Sequence, residues 1–520
     1  MKQPLPRSTA ASGTTLGPLR RIPALLRLVW RASPALTAAS VALRLARSVL
    51  PVAMLYVGKL IIDEIVLQAA LPPPAGGVLD HLETGRLAPI ALLLAAELGL
   101  AVLSDLLARA STLVDGLLGE RYSNMTSVML MQHAATLDLA QFEDSEEQDR
   151  LERARRQTSG RSTLLGQILQ RGQDVLTALT LVVGLAAYAP WLVVLIAVAL
   201  VPSLMGEIRF NAQGYRLSYV RAPERRKLDY LRILGASPEH AKELKLFGLA
   251  AFLVDRFRGF AQTIYEDNRR LAVRRAAWGG LFAGLATLAY YAAFAVIVWR
   301  TVSGEFSIGD LTFLSGSFLR LRSVLEGFLL GLSQIASQAQ YLDDLFAFLE
   351  TRPGMVAPTS GAVPVPRPLR EGFVFEDVGF RYPGSDVWAV RHLDLVIGAG
   401  EAVALVGENG AGKTTIVKLL TRLYDPSEGR ILLDGRDLRD YDLESLRDRI
   451  GVVFQDFARY HFSAAENVAA GRIEAADDRA RIVEAARRSL ADPILPRLPR
   501  GYAHPPGHRL QDGPRLSGGS

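Results

Sequence analysis

Apolar and polar positions follow two regimes along the chain. In the first regime, long apolar stretches run from Leu36 to Val66, Leu87 to Leu113, Val175 to Ala187, Trp191 to Leu204, Ala276 to Val302 and Ile308 to Ser337. Such stretches predict six membrane-spanning helices. The third and fourth read as a hairpin that turns at Tyr188-Ala189-Pro190. The helical pattern of the second continues through Met131, well beyond the ~20 residues that cross a bilayer. Ahead of the first span, Ile22 to Arg31 reads as a short amphipathic helix with Trp30 at a membrane interface.

The second regime begins after Glu350. Residues 351 to 368 hold five prolines and little periodicity, the pattern of a linker. From Phe373 the pattern is α/β: strands are predicted at Phe373 to Phe380, His392 to Ile397, Ala402 to Val406 and Arg430 to Leu433, the last entering a tight turn at Asp434-Gly435. Ser463-Ala464-Ala465-Glu466 predicts a capping box, and Asp478 to Leu490 an amphipathic helix. No repeat of solenoid period occurs. The expected division is an N-terminal tail with its interfacial helix (1–34), a six-helix membrane domain (35–350), a linker (351–371) and a phosphate-loop domain (372–520).

Composition supports this division. The chain has 520 residues, 49% of them hydrophobic and 22% charged, and a formal net charge of +6. The basic residues stand beside apolar runs, which points to a membrane surface and leaves a nucleic-acid partner without support. Residues 121 to 171 and 209 to 275 are rich in arginine, whereas 69–86, 188–190 and 301–307 hold only Arg86 as a Lys or Arg. The positive-inside rule then places both long loops and both ends on the cytoplasmic side. The first acidic residue is Asp63. An Arg-rich, acid-poor start fits a cytoplasmic tail, and also a transit peptide; the span that follows favours the tail. Absence of cysteine excludes disulfides, thiolate metal sites and Cys nucleophiles. Ionisable residues inside the predicted spans (Arg44, Arg47, Glu97, Asp105, Arg320, Arg322 and Glu326) either line a polar interior or stand where long helices leave the bilayer.

The chemistry concentrates at Glu401 to Leu420. Gly407-Glu408-Asn409-Gly410-Ala411-Gly412-Lys413-Thr414 matches G-x-x-x-x-G-K-[ST], between a predicted strand and a helical Thr415 to Leu420. Glycines let backbone N–H groups turn toward a β-phosphate at the positive end of a helix. Lys413 reaches β- and γ-phosphates, and the Thr414 hydroxyl suits Mg²⁺. A glycine-rich turn with an exposed lysine would share these letters without the strand and the helix.

Six spans, a linker and a phosphate loop in one chain resemble an ABC transporter half of the exporter type. Gly451-Val452-Val453-Phe454-Gln455 is similar to the family's Q-loop, Leu516-Ser517-Gly518-Gly519 to its signature, and Phe380-Arg381-Tyr382 to its aromatic A-loop. The resemblance implies ATP and Mg²⁺ as cofactors. Lys413 and Gln455 would be catalytic, Thr414 and Gln455 would hold Mg²⁺, and Tyr382 would stack on adenine. Gly407, Asn409, Gly410, Gly412, Thr415, Ser517, Gly518 and Gly519 would complete nucleotide binding. Leu137 to Arg153 and Glu239 to Gly248 resemble the loops that couple the two domain types.

The family pairs two halves, homo- or heterodimeric, around two ATP molecules, so the resemblance implies a partner half-transporter, lipid contact and an unidentified exported solute. It also implies an integral protein of a bacterial inner membrane with a cytoplasmic ATP-binding domain. A lipid flippase or importer on the same span pattern stays open, as does a catalytically dead fragment or partner subunit. Ser520 stands where the family's signature usually has Gln. The family's Mg²⁺-linked Asp, catalytic Glu and switch His find no counterpart in these residues. The phosphate-loop domain is therefore expected to be incomplete and residues 1–520 inactive in hydrolysis when alone.

Overall fold

The computed structural model describes residues 21–71, 87–144, 147–148, 150–151, 163–237, 240–355, 361–455, 457–458 and 460–504. The chain forms two compact units, one of residues 1–137 with 142–352 and the other of residues 138–141 with 353–520.

The first unit is helical. Helix α1 (Ile22–Ala32) buries Leu25, Leu28 and Val29 and exposes Leu26 and Trp30, so both faces are apolar. Ser33 then caps α2 (Pro34–Ala69) by accepting from the Leu36 amide at 3.4 Å. There follow α3 (Ala88–Thr136), α4 (Leu139–Glu143, shared between the units), α5 (Thr163–Tyr188), α6 (Pro190–Val220), α7 (Ala222–Ala236), α8 (Ala241–Leu246), α9 (Ala250–Val302) and α10 (Ile308–Glu350). Long helices therefore occupy all six predicted span positions. Three of the described helices, Ala88–Thr136, Pro190–Ser218 and Ala250–Val302, are long and apolar enough to cross a membrane by length and composition. At about 1.5 Å per residue, α3 and α9 are each more than twice the ~30 Å of a hydrocarbon core.

Helices α5 and α6 turn on Pro190, and their buried faces meet α9 and α10. Leu181, Leu185, Leu192 and Ile196 pack with Ala293, Ile297, Phe313, Leu314 and Phe318. Inside a bilayer such helices associate by close packing rather than by escape from water. The start of α10 shows how close. A Cβ on Gly309 would lie 2.5 Å from the Lys59 carbonyl oxygen and 2.5 Å from an Asp63 carboxylate oxygen. Asp63 uses the space to accept from the Gly309 amide at 2.9 Å. Ser307 and Asp310 form a capping box, and Asp310 also pairs with Lys59 at 2.7 Å. Lys59 donates to the Tyr188 hydroxyl at 3.1 Å, so α2, α5 and α10 meet at one polar knot.

Two of the arginines inside the predicted spans have carboxylate partners. Arg44 is buried and lies 2.6 Å from Asp115, whose other oxygen accepts from Ser40 at 2.8 Å. Arg322 pairs with Glu326 at 2.8 Å and donates to Thr287 at 3.1 Å, which ties α10 to α9. Arg320 is exposed.

In the second unit, β1 (Gly372–Arg381), β2 (Trp388–Gly398), β3 (Glu428–Leu433) and β4 (Arg436–Asp437) form an antiparallel sheet in the order β2-β1-β3-β4. Phe375, Val378, Phe380, Ile431 and Leu433 bury one face against Ile416 and Leu419 of α11 (Lys413–Leu420). Asp434 turns β3 into β4 with φ +48°. Burial draws its carboxyl upward, but the amides of Gly372, Glu371 and Arg370 donate to it and hold it below the ordinary carboxylate range. Further on come α12 (Leu443–Arg447), α13 (Ala464–Ala469) and α14 (Arg479–Arg488); the Ser463–Glu466 capping box opens α13.

One predicted strand is not formed. Residues 402–406 have no ladder partner among the described residues; Val403 and Leu405 are exposed and Val406 is 95% exposed. An apolar run encodes a preference for burial, but a strand exists only with a neighbour to pair with, and for parallel pairing that neighbour is remote in sequence.

The Gly309 contact is testable. Replacement by Ala should destabilise the helical unit by about 1–3 kcal/mol, the usual cost of overpacking against rigid atoms. Gly58→Ala on α2 has nothing within 4 Å of its Cβ, and should leave thermal unfolding in detergent unchanged or slightly raised. Equal melting temperatures for the two variants would show that α2 and α10 do not meet at Gly309.

Candidate nucleotide site

The phosphate loop takes its shape from glycine at two positions. Gly410 has φ +88° and Gly412 has φ +85°, a left-handed region that other residues enter at a cost. At Gly412 there is also no room: a Cβ would lie 2.7 Å from the Val390 Cγ2 and 2.8 Å from the Ala389 carbonyl oxygen of β2. Between the two, the Ala411 amide donates to the Glu408 carbonyl at 3.2 Å and closes the turn.

Helix α11 begins immediately after Gly412 without a side-chain cap, and its first intrahelical bond runs from the Ile416 amide to the Gly412 carbonyl at 3.0 Å. The amides of Lys413, Thr414 and Thr415 thus have no acceptor within the helix. Unsatisfied first-turn amides at the positive end of a helix suit an anion, so the residues present fit a polyphosphate. Lys413 is folded onto its own loop, with Nζ donating to the carbonyls of Gly407 at 2.6 Å and Glu408 at 2.7 Å. Asn409 and Thr414 are exposed.

The structure brings the aromatic and phosphate-loop residues together. Tyr382 follows β1, and its hydroxyl shares a hydrogen bond with Thr415 at 3.1 Å. The Thr415 side chain is thereby committed to Tyr382, leaving its amide as the group it offers a phosphate. Phe380 and Tyr424 stand edge-on to Tyr382 with centroids 5.0 and 5.6 Å away. Gln455 is exposed, and no hydrogen bond joins it to Thr414 among the described residues. Ser517, Gly518 and Gly519 lie outside the described residues, as does Glu239 of the second loop tip.

Two groups went unread in the sequence. Arg381 and Arg391 flank the Trp388 ring at 4.4 and 4.6 Å. The signal for this was cross-strand register, since Arg381 pairs directly with Trp388. Lys418 lies over Tyr382 and Tyr424; its signal was helical spacing, four residues after Thr414.

Comparison with known proteins finds the following similarities. Residues 390–502 match the ABC transporter family. An ATP-dependent lipid A-core flippase of Chromobacterium violaceum is 34% identical over 358 residues, which is 67% of this chain and 58% of that protein. The subtilin transport ATP-binding protein SpaT of Bacillus subtilis is 25% identical over 378 residues, 72% of this chain and 61% of that one. The chain therefore spans about three fifths of the length of the curated relatives it matches. A solved bacterial Atm1-family ABC exporter with ATP bound shares the fold, with a TM-score of 0.69 at 24% identity over 94% of this chain and 82% of that structure. Residues 390–502 therefore match an ABC transporter domain, and the chain as a whole resembles ABC transporters in sequence and shares the fold of an ABC exporter.

Proposed function

We propose that this chain is a half-transporter of the exporter type that binds ATP at Gly407–Thr415 and, paired with a second half, couples ATP binding and hydrolysis to export of a solute across a membrane. The observation that carries the reading is the glycine-enforced turn at Gly412, after which the helix starts with uncapped first-turn amides and with Lys413 folded onto the loop. In this reading the amides and Lys413 hold the phosphates, Thr414 and Gln455 face Mg²⁺, and Tyr382 carries adenine. Ser517, Gly518 and Gly519 serve the site of the partner half. When bound, MgATP supplies the phosphoanhydride bond whose hydrolysis drives the cycle. The chain's own share is to orient the phosphates and neutralise charge on the transferred group, with Lys413 leaving the Gly407 and Glu408 carbonyls to do so. Relatives named as lipid A-core flippases favour a lipid as the cargo.

The proposed arrangement is six spans within residues 35–350, a linker at 351–371 and an ATP-binding domain at 372–520. Clustering of Arg and Lys in the two long loops supports a cytoplasmic position for them and for the ATP-binding domain, in a bacterial inner membrane. Resemblance of Leu137 to Arg153 to the family's coupling loops supports a coupling role for the first loop.

The native chain lacks cysteine, so topology can be read by single introduced thiols. In sealed cells an impermeant maleimide should label Ser303→Cys and leave Lys245→Cys unlabelled until lysis. Labelling of Lys245→Cys from outside would refute the six-span arrangement.

Nucleotide chemistry is tested in the full-length transporter. Lys413→Ala should lower ATP turnover by about two to three orders of magnitude, the usual loss when one electrostatic contact to a transition state is removed. Tyr382→Ala should instead weaken ATP binding by about 1–3 kcal/mol, the range for aromatic stacking on a base. Turnover by Lys413→Ala at the parent's rate would remove the phosphate-loop assignment.

A further inference from the structure

Lys418 follows Thr414 by four residues, so both sit on one face of α11. Its Nζ lies 5.1 Å from the Tyr382 ring centroid and 5.6 Å from that of Tyr424. Tyr382 is simultaneously held edge-on by Phe380 at 79° and by Tyr424 at 84°, and its hydroxyl is bonded to Thr415. Phe380 and Tyr424 are buried at 3% and 5% exposure, whereas Tyr382 is only half-buried. The ring is thus fixed by an aromatic pair, a hydroxyl and a cation, and part of its surface stays open.

An ammonium within ~6 Å of a phenol ring is attracted to its π density. That attraction restrains the ring's tilt, and it draws electron density toward the cation, which favours an electron-rich purine on the surface left open. The phosphate-directed work of a lysine in this loop belongs to Lys413, which reaches the Gly407 and Glu408 carbonyls. Lys418 lies over the rings of Tyr382 and Tyr424.

We propose that Lys418 is a positioning residue for the nucleobase, acting through Tyr382 rather than on the phosphates; this rests on the assignment of Tyr382 as the adenine platform. The energy of one cation–π contact sets the scale: its loss should weaken ATP binding roughly two- to fivefold. Base-free triphosphate should not feel it.

The test is calorimetric titration of the full-length transporter with ATP and, separately, with inorganic tripolyphosphate, at physiological salt. Lys418→Met and Lys418→Gln should each weaken ATP by that factor and leave tripolyphosphate unchanged, while Lys418→Arg, which keeps a cation over the ring, restores ATP affinity. Placed on Tyr382→Ala, Lys418→Met should add no further loss. Equal weakening of both ligands would mean that Lys418 serves the phosphates, and an undiminished ATP affinity would mean that it serves neither; each result overturns the proposal alone. A parent protein that binds neither ligand overturns the phosphate-loop reading, and this inference with it.

Discussion

A side chain at position 412 would put its Cβ 2.8 Å from the Ala389 carbonyl oxygen, and that exclusion sets the path of the chain through the nucleotide site. Because glycine stands there, the loop presses against β2 and leaves in a left-handed conformation, and α11 starts with its first-turn amides facing outward. The same contact brings α11 beneath β1, where Thr415 meets Tyr382 and Lys418 meets the rings. In the proposed reading, phosphate and base recognition therefore both depend on this one backbone approach. Lys413 is the adaptable member of the group. Its ammonium satisfies two loop carbonyls and can exchange them for phosphate oxygens of greater negative charge.

Polar groups hold the helical unit by a related economy of contact. Apolar faces alone would let long helices slide along one another, since lipid and leucine are equally apolar. The knot of Lys59, Asp63, Tyr188, Gly309 and Asp310 fixes register among α2, α5 and α10, because each bond has one partner position and a direction. Arg44 with Asp115 and Ser40 does the same between α2 and α3. Burying such a pair adds little net stability, but breaking one partner leaves an uncompensated charge, so these contacts act mainly on specificity of packing.

Local signals in the sequence were legible where local chemistry decides. The Ser463–Glu466 capping box, the Asp434-Gly435 turn, the Pro190 hairpin and the phosphate-loop helix each follow from a few adjacent residues, and the structure contains them. Contacts that depend on register or on distant partners were not legible. Arg44 read as a costly charge in a span because nothing near it in sequence reveals Asp115, 71 residues away. Trp388 carried no message until β1 and β2 were aligned.

The missing strand at 402–406 shows the same limit at the heart of the site. Val406 precedes the phosphate loop directly, and Val453 at 90% exposure stands two residues before Gln455. Both segments have strong β-branched character, yet neither is paired among the described residues. Glycine and helix signals suffice to shape Gly407–Thr415 itself, because every bond that defines it is local or made with β2. The distance from Thr414 to Gln455 is a different kind of quantity. It depends on where the two segments that carry those residues lie, and no bond within Gly407–Thr415 decides that. The bonds that shape Gly407–Thr415 thus form with no hydrogen bond between Thr414 and Gln455 among the described residues.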